Sequence, residues 1–217
     1  MLDTLYFPNA PILNALIQTL LLLMIPLAIS ASFGSIAGIG VFFWRNPLFS
    51  RKTKPALFSY RVIRYFRSYG YLAFVPLFII LANDWIGITP GLSSILFITL
   101  GGIFFFLFHL HNGLNQLDAS VLEGTLSTGL SKRWFILRVL LPLGKCKIAH
   151  ALFDTALFIL SMGSVSGILT GYGLSGTGRP LSSGSDKLGI ILISYLLLAL
   201  MFILIAGLSS RFDRKDV

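Results

Sequence analysis

Five stretches of the chain contain apolar residues in long, nearly unbroken runs, and polar residues gather between them. A helix needs about 20 mainly apolar residues to cross the hydrocarbon core of a bilayer. Backbone groups in lipid have no water to bond, so a spanning segment of this kind forms a helix. The pattern therefore predicts five transmembrane helices, at residues 12–43, 65–81, 92–110, 148–170 and 188–208.

The composition agrees with this fold class and excludes a water-soluble one. Hydrophobic residues make up 55% of the 217 residues and charged residues 12%, whereas soluble domains carry about 25% charged residues. The mean hydropathy is +0.85. The first apolar run is too long for a signal-peptide core, so we interpret it as a retained span. We expect an all-α membrane protein in which residues 1–217 form one transmembrane domain.

The distribution of basic residues predicts the orientation of the chain. Fifteen of the 17 Lys and Arg residues lie in or next to the connections after the first and third predicted spans, or in the C-terminal tail. The other two are Arg179 and Lys187. Because Lys and Arg accumulate in cytoplasmic connections, we expect the N-terminus outside and the C-terminus in the cytoplasm. The net charge of +9 then reflects topology, and we expect no nucleic-acid partner.

The connection at residues 114–147 is too polar to cross the membrane and too regularly patterned to be disordered. Asp118 and Ser120 are both residue types that cap a helix, and they precede a short predicted helix that includes residues 123–127. Gly129 then occupies the position at which a left-handed residue commonly ends a helix.

A second helix is predicted after this glycine. Ser131 is placed to cap it, and Pro142 is placed to restart the chain toward the fourth span, because proline favours the first turn of a helix. The apolar residues expected to hold this second helix are Trp134, Phe135, Leu137 and Val139. We therefore predict a helix, a sharp corner and a second helix at the cytoplasmic membrane surface.

These residues resemble the cytoplasmic loop of ABC importer permeases. That loop has the pattern Glu-Ala-Ala, three residues, Gly, nine residues, and then Ile-any-Leu-Pro. The matching positions, at the same spacing, are Glu123, Gly129, Val139, Leu141 and Pro142. Gly124 and Thr125 stand in place of the two alanines, and Val139 stands in place of the isoleucine. The loop also precedes the penultimate predicted span, as it does in that family.

The resemblance extends to permeases of the methionine (D-methionine) uptake type, which are short chains with five spans and an external N-terminus. Further matching residues are Phe66, Arg67 and Ser68 before the second span, and Gly173, Leu174 and Gly176 after the fourth. The resemblance implies a type I ABC importer permease of the bacterial inner membrane. It implies methionine or a related amino acid as the transported solute.

The same resemblance implies the partners. Such a permease is a homodimer that binds two cytoplasmic ATPase subunits, and the short helix of the loop seats in a groove of each ATPase. An external solute-binding protein, often a lipoprotein, delivers the ligand. ATP and magnesium belong to the ATPase, so no cofactor or metal is expected in this chain. The sequence also lacks the GxxxxGK[ST] pattern of a nucleotide-binding loop, and we expect a non-catalytic subunit.

Small and hydroxyl residues inside the spans leave two interpretations open. They permit close helix packing, or they line a pathway for solute. The glycines concerned are Gly34, Gly38, Gly40, Gly163 and Gly167. The candidate pathway or gate residues are Asp154, Ser164 and Ser166.

Asp154 is a carboxylate inside a predicted span, where charge is costly and often functional. Alternatively, it reaches the cytoplasmic interface or pairs with Lys147 or His150. His109 and His111 lie two residues apart on a helix, so they point to different faces and predict no shared metal site.

Three rival functions remain at this point. A permease for polar amino acids or another small solute differs only in its ligand. An ion-driven transporter or channel would need several charges inside the spans, and Asp154 alone qualifies by position. An intramembrane hydrolase would need facing catalytic groups, and the sequence places no Ser-His pair or paired aspartates at matching depths.

Overall fold

The computed structural model describes residues 11–45, 89–127, 129, 131–170, 174 and 187–213. Within these residues the regular structure is helical. The helices are α1 (Pro11–Arg45), α2 (Pro90–Leu114), α3 (Ala119–Ser127), α4 (Lys132–Phe135), a π-helical turn (Ile136–Leu140), α5 (Leu141–Thr170) and α6 (Lys187–Asp213).

Four of the described helices are long and apolar enough to cross a membrane. The stretches concerned are Ile12–Trp44, Gly91–Asn115, Ile136–Ile168 and Leu192–Ser210. They coincide with the first, third, fourth and fifth predicted spans. The second predicted span, 65–81, lies outside the described residues, as does the Phe66-Arg67-Ser68 segment.

The helix of the fourth predicted span begins earlier than the sequence pattern indicates, and Pro142 does not restart the chain. Pro142 is the second residue of α5, directly after the π-helical turn. A proline inside a helix lacks an N–H, and its ring presses on the carbonyl four residues earlier, here that of Arg138. The π-helical turn relieves this conflict, since its wider bonding pattern joins the Leu141 N–H to the Ile136 carbonyl. The chain therefore runs from α4 into α5 as continuous helix.

The spans pack in a consistent order. Helix α1 lies along α2 and also touches α5, α2 lies along α5, and α5 lies along α6. Buried residues form one core around Ile98 and Ile159, and a second core around Phe106, Leu110 and Phe135. The second core lies at the end of the bundle from which α3 and α4 extend.

Several predicted glycines do permit close packing. Gly34 faces the Phe106 ring at 2.8 Å and Gly38 faces Leu110 at 3.0 Å, measured from the position of an added Cβ. Gly163 faces Leu22 at 2.6 Å in the same sense. Gly40 differs from the prediction, because open space surrounds it. Close approach of α1 to α2 and α5 therefore depends on a subset of the glycines.

Candidate functional site

The segment between α2 and α5 contains the predicted helical corner. Asp118 caps α3, because the Ser120 N–H donates to its Oδ1 at 2.9 Å and the Leu122 N–H donates to its carbonyl at 3.3 Å. The Ser120 N–H and hydroxyl hold the pKa of the Asp118 carboxyl below its ordinary value. Of the two capping candidates in the sequence, Asp118 is thus the cap.

Gly129 forms the corner itself. Its φ of +74° is in the left-handed region, which glycine adopts without a Cβ penalty. Ser131 follows immediately before α4, and the Phe135 N–H donates to the Ser131 carbonyl at 2.9 Å. The predicted order of helix, left-handed glycine and second helix is confirmed. We call residues 118–140 the elbow.

Three buried side chains fasten the elbow to the spans. Leu122 of α3 is 2% exposed and Phe135 of α4 is 0% exposed, and both belong to the second core. Leu140, in the π-helical turn, is buried in the same core at 1% exposure. Both halves of the elbow therefore contact the spans through apolar anchors.

The residues that match the loop motif lie in different environments. Glu123 and Gly124 are exposed on α3, and Thr125 donates its hydroxyl to the Val121 carbonyl. Val139 and Leu141 are half-buried, and Pro142 is exposed. The motif thus marks an outer surface and a helix junction, whereas the buried anchors Leu122, Phe135 and Leu140 are not motif positions.

The outer surface of the elbow combines apolar and charged groups. Val121, Trp134 and Leu137 are exposed, and the Arg138 guanidinium lies 4.3 Å from the centroid of the Trp134 ring. The sequence grouped Trp134, Phe135, Leu137 and Val139 as equivalent contacts. The structure separates them, because Phe135 points into the core while Trp134 and Leu137 face outward.

A second polar site lies between α2, α5 and α6. Asp154 Oδ2 lies 3.2 Å from His109 Nδ1 and 3.4 Å from His150 Nε2. Ser209 donates its hydroxyl to Asp154 Oδ1 at 2.8 Å, and its Oγ also lies 3.1 Å from His150 Nδ1. We call these four residues the polar cluster. His150 is one of the partners that the sequence left open for Asp154, and the structure places the two side chains side by side.

Aromatic rings enclose one side of the polar cluster. The Phe105 ring stacks on His109 with centroids 4.4 Å apart, and Phe158 stacks on Phe105 at 4.6 Å. The sequence analysis considered His109 only for a metal site shared with His111, and it gave Ser209 no role. Among the described residues, no group of His, Cys, Asp and Glu is arranged to hold a metal ion.

The two candidate pathway serines occupy different positions. Ser166 is buried and donates its hydroxyl to Ser94 Oγ at 2.6 Å, joining α5 to α2. Ser164 bonds within its own helix, to the Leu160 carbonyl at 2.7 Å. A further bond joins α1 to α2, from Ser30 Oγ to the Thr99 carbonyl at 3.2 Å. Ser166 therefore contributes to helix packing.

No protein-family profile matches the sequence, and no curated protein matches it in sequence. Solved structures do share its fold. Two are inward-facing conformations of the MetNI methionine ABC transporter, in a SeMet-soaked and a native crystal form. Both match with a TM-score of 0.75 at 17% identity. The first match covers 92% of this chain and 93% of the chain in the solved structure. The second match covers 95% of this chain and 96% of the chain in the solved structure.

A third similar structure is an amino acid ABC transporter with histidines, at a TM-score of 0.73 and 16% identity, covering 95% of this chain and 94% of that chain. Identities this low establish a shared fold and no more. The likeness extends over nearly the whole of each chain, so it is not confined to one helix pair. The chain therefore has the fold of the membrane-spanning subunits of these ABC transporters.

Proposed function

We propose that this protein is the membrane-spanning permease subunit of a binding-protein-dependent ABC importer for methionine or a related amino acid. The observation that carries the proposal is the elbow, which consists of a capped helix, a left-handed glycine and a second helix. The elbow and the start of α5 contain Glu123, Gly129 and Pro142 at the spacing found in importer permeases. The shared fold supports the class of protein, and the names of the similar transporters support the class of solute.

The elbow has the mechanical properties that such a coupling element needs. Helix α4 continues through the π-helical turn into α5, so a push on α4 acts along a span without crossing a flexible linker. Leu122 ties α3 into the core that contains Leu110 and Leu114 of α2. A force on the outer surface of the elbow is therefore delivered to α2 and α5 together.

The partner that delivers this force is a cytoplasmic ATPase. In the proposal, Val121, Trp134 and Leu137 supply apolar contact area, and Glu123 and Arg138 supply charged contacts. ATP and magnesium are held by the ATPase. Two copies of this chain form the pathway, an external solute-binding protein loads it, and the elbow faces the cytoplasm of a bacterial cell.

The decisive experiment is reconstitution with and without a cytoplasmic ABC-type ATPase that co-purifies with this chain. The chain is placed in proteoliposomes with this ATPase and an external solute-binding protein, and solutes are tested for their ability to raise ATP hydrolysis and to accumulate inside. We expect uptake only when the ATPase, ATP and binding protein are all present. Uptake by the purified permease alone, driven by an ion gradient, would instead assign it to the ion-driven class.

The identity of the solute needs a panel rather than a single compound. Methionine, histidine, another polar amino acid and a non-amino-acid solute are compared at equal concentration. Stimulation of ATP hydrolysis by methionine supports the specific proposal. Stimulation by a polar amino acid retains the importer and replaces its ligand.

A further inference from the structure

Leu174 lies four residues after the end of α5 and is buried among the spans. Its side chain is 1% exposed and belongs to the first core, as do Ala15 and Leu22 of α1. Helix α1 begins at this end of the bundle, whereas Phe42, near the other end of α1, lies in the second core with residues of the elbow. Leu174 therefore occupies the end of the bundle opposite the elbow, which we call the far end.

A hydrogen bond also joins the backbone of Leu174 to α1. The Leu174 N–H donates to Thr19 Oγ1 at 2.8 Å, across 155 positions of the chain. The Thr19 hydroxyl donates its own proton to the Ala15 carbonyl at 2.9 Å, so its oxygen acts as the acceptor for Leu174. Thr19 is buried, and a buried N–H that loses its acceptor is destabilising. Both the side chain and the backbone of Leu174 are thus held at the far end.

The contact of α1 with α2 is of a different kind. At Gly34 and Gly38, side chains of α2 lie 2.8 and 3.0 Å from the position of an added Cβ, and Ser30 donates to a carbonyl of α2 at 3.2 Å. These contacts follow one another along both helices, so separating the helices would break them together. The Thr19–Leu174 contact consists of one buried side chain and one hydrogen bond, and it can therefore separate with much less loss.

We infer that the Thr19–Leu174 contact is a gate, in which Leu174 closes the far end in this conformation and leaves α1 when that end opens. The inference rests on the proposed function, because a permease with alternating access must open its two ends in turn. With the elbow in the cytoplasm, the far end is the outer end. The closed contact then belongs to the inward-facing state, and ATP-driven outward opening breaks it.

The first experiment tests the contact in the full-length permease in lipid nanodiscs, without the ATPase. Hydrogen exchange at the Leu174 amide is measured by mass spectrometry with electron-transfer fragmentation, which resolves single amides. Thr19→Val removes the acceptor, so the Leu174 amide should exchange about tenfold faster, the effect of losing one hydrogen bond. Thr19→Ala, which also lacks the acceptor, should repeat this result. Thr19→Ser keeps the hydroxyl and should stay within about twofold of the wild type.

Thr155→Val is the matched control. Thr155 is also buried, and its hydroxyl donates within α5, to the Ala151 carbonyl at 2.7 Å. Its loss should leave exchange at the Leu174 amide unchanged. Wild-type exchange at Leu174 in the two variants that lack the Thr19 acceptor overturns the inference. An equal rise in Thr155→Val also overturns it, because the effect would then be a general loosening of the bundle.

The second experiment tests whether the contact opens. The permease is assembled with the partner ATPase in nanodiscs, and exchange at the Leu174 amide is compared with and without AMP-PNP and magnesium, which hold the ATPase closed. We expect protection of Leu174 to fall about tenfold or more with nucleotide, while residues 96–104 of α2 keep theirs. Unchanged protection of Leu174 overturns the inference.

ATP hydrolysis separates a gate from a fixed packing contact. Loss of the hydrogen bond destabilises only the closed far end, so Thr19→Val should raise ATP hydrolysis in the absence of solute and binding protein, by up to about tenfold. Thr155→Val should hydrolyse ATP at the wild-type rate. Wild-type hydrolysis in Thr19→Val contradicts the gate.

Failure of the gate and failure of the proposed function give different results. If the wild-type chain takes up no solute with the ATPase, ATP and binding protein present, the proposed function is refuted and the gate with it. If uptake is normal but Leu174 stays protected with nucleotide bound, the gate alone is refuted.

Discussion

The anchor Leu122 offers the sharpest test of how the elbow acts on the spans. Leu122 is 2% exposed in the second core, while its neighbour Val121 on the same helix is 44% exposed. Truncating a buried leucine to alanine costs about 2–5 kcal/mol, and the lower end applies where the site can collapse. Substitutions of exposed residues change the free energy of unfolding by about 0.5 kcal/mol or less. The pair Leu122→Ala and Val121→Ala therefore isolates burial on a single helix.

The local consequence is measured first by hydrogen exchange of residues 119–127 in the permease alone. A loss of about 2 kcal/mol corresponds to roughly thirtyfold faster exchange in Leu122→Ala. Val121→Ala should differ from the wild type by about twofold at most. Both residues lie on α3, outside the stretches that are long and apolar enough to cross a membrane, so both variants should insert in the membrane equally well.

Under the proposed function, the consequence for transport is measured in proteoliposomes with the ATPase. With α3 detached from α2, we expect the ATPase still to bind and to hydrolyse ATP, while less of its motion reaches the spans. We expect the solute taken up per ATP hydrolysed to fall in Leu122→Ala. Two results would refute the reasoning. One is unaltered exchange of α3, and the other is full coupling despite a loosened α3.

Three further predictions concern single positions. Gly129→Leu should remain in the membrane but lose solute-stimulated ATP hydrolysis by the partner ATPase, because a left-handed leucine costs about 1–2 kcal/mol. Gly129→Asn should retain most of this stimulation, since asparagine tolerates the left-handed conformation. Equal loss in both variants would contradict the argument. Gly124→Ala should slow exchange in α3 about fivefold, because an added Cβ meets nothing within 4 Å and alanine favours a helix by about 1 kcal/mol. Ser166→Ala should lower the free energy of unfolding in detergent by roughly 0.6 kcal/mol through loss of the Ser94 bond, whereas Ser164→Ala should not; equal effects would count against the interhelical bond.

The hydrophobic runs in the sequence predicted the four described membrane-length helices, because such runs have a strong structural meaning in a lipid bilayer. A run of about 20 apolar residues has few alternatives to a spanning helix. The helical connection from α4 into α5 at Pro142 could not be predicted from the sequence. A proline is compatible both with a helix start and with a helix interior that follows a π-helical turn. Local pattern cannot distinguish these, since the outcome depends on how Phe135 and Leu140 pack against α1 and α2.

Candidate functional residues were predictable from the sequence where their role depends on neighbouring residues in the chain. Asp118 and Gly129 act through their own backbone neighbours, so capping and turn chemistry identified them. The polar cluster depends on contacts between residues separated by 45 to 59 positions in the chain, as in the bond between Asp154 and Ser209. One serine among many carries no periodic signal. A carboxylate inside a predicted span, such as Asp154, implies a polar partner. The sequence analysis named His150 as a possible partner, but it did not name His109 or Ser209.

The elbow and the polar cluster both contact helix α5. Asp154 lies thirteen residues after the start of α5, about 20 Å along a continuous helix. Leu122 and Phe135 fasten the elbow to the core shared with α2, so under the proposed function a push on the elbow is expected to move α2 and α5 together and to preserve the contact between His109 and Asp154. Helix α6 joins this body at the polar cluster through Ser209. A movement that separates α6 from α5 must therefore break both contacts of Ser209, the bond to Asp154 and the contact with His150.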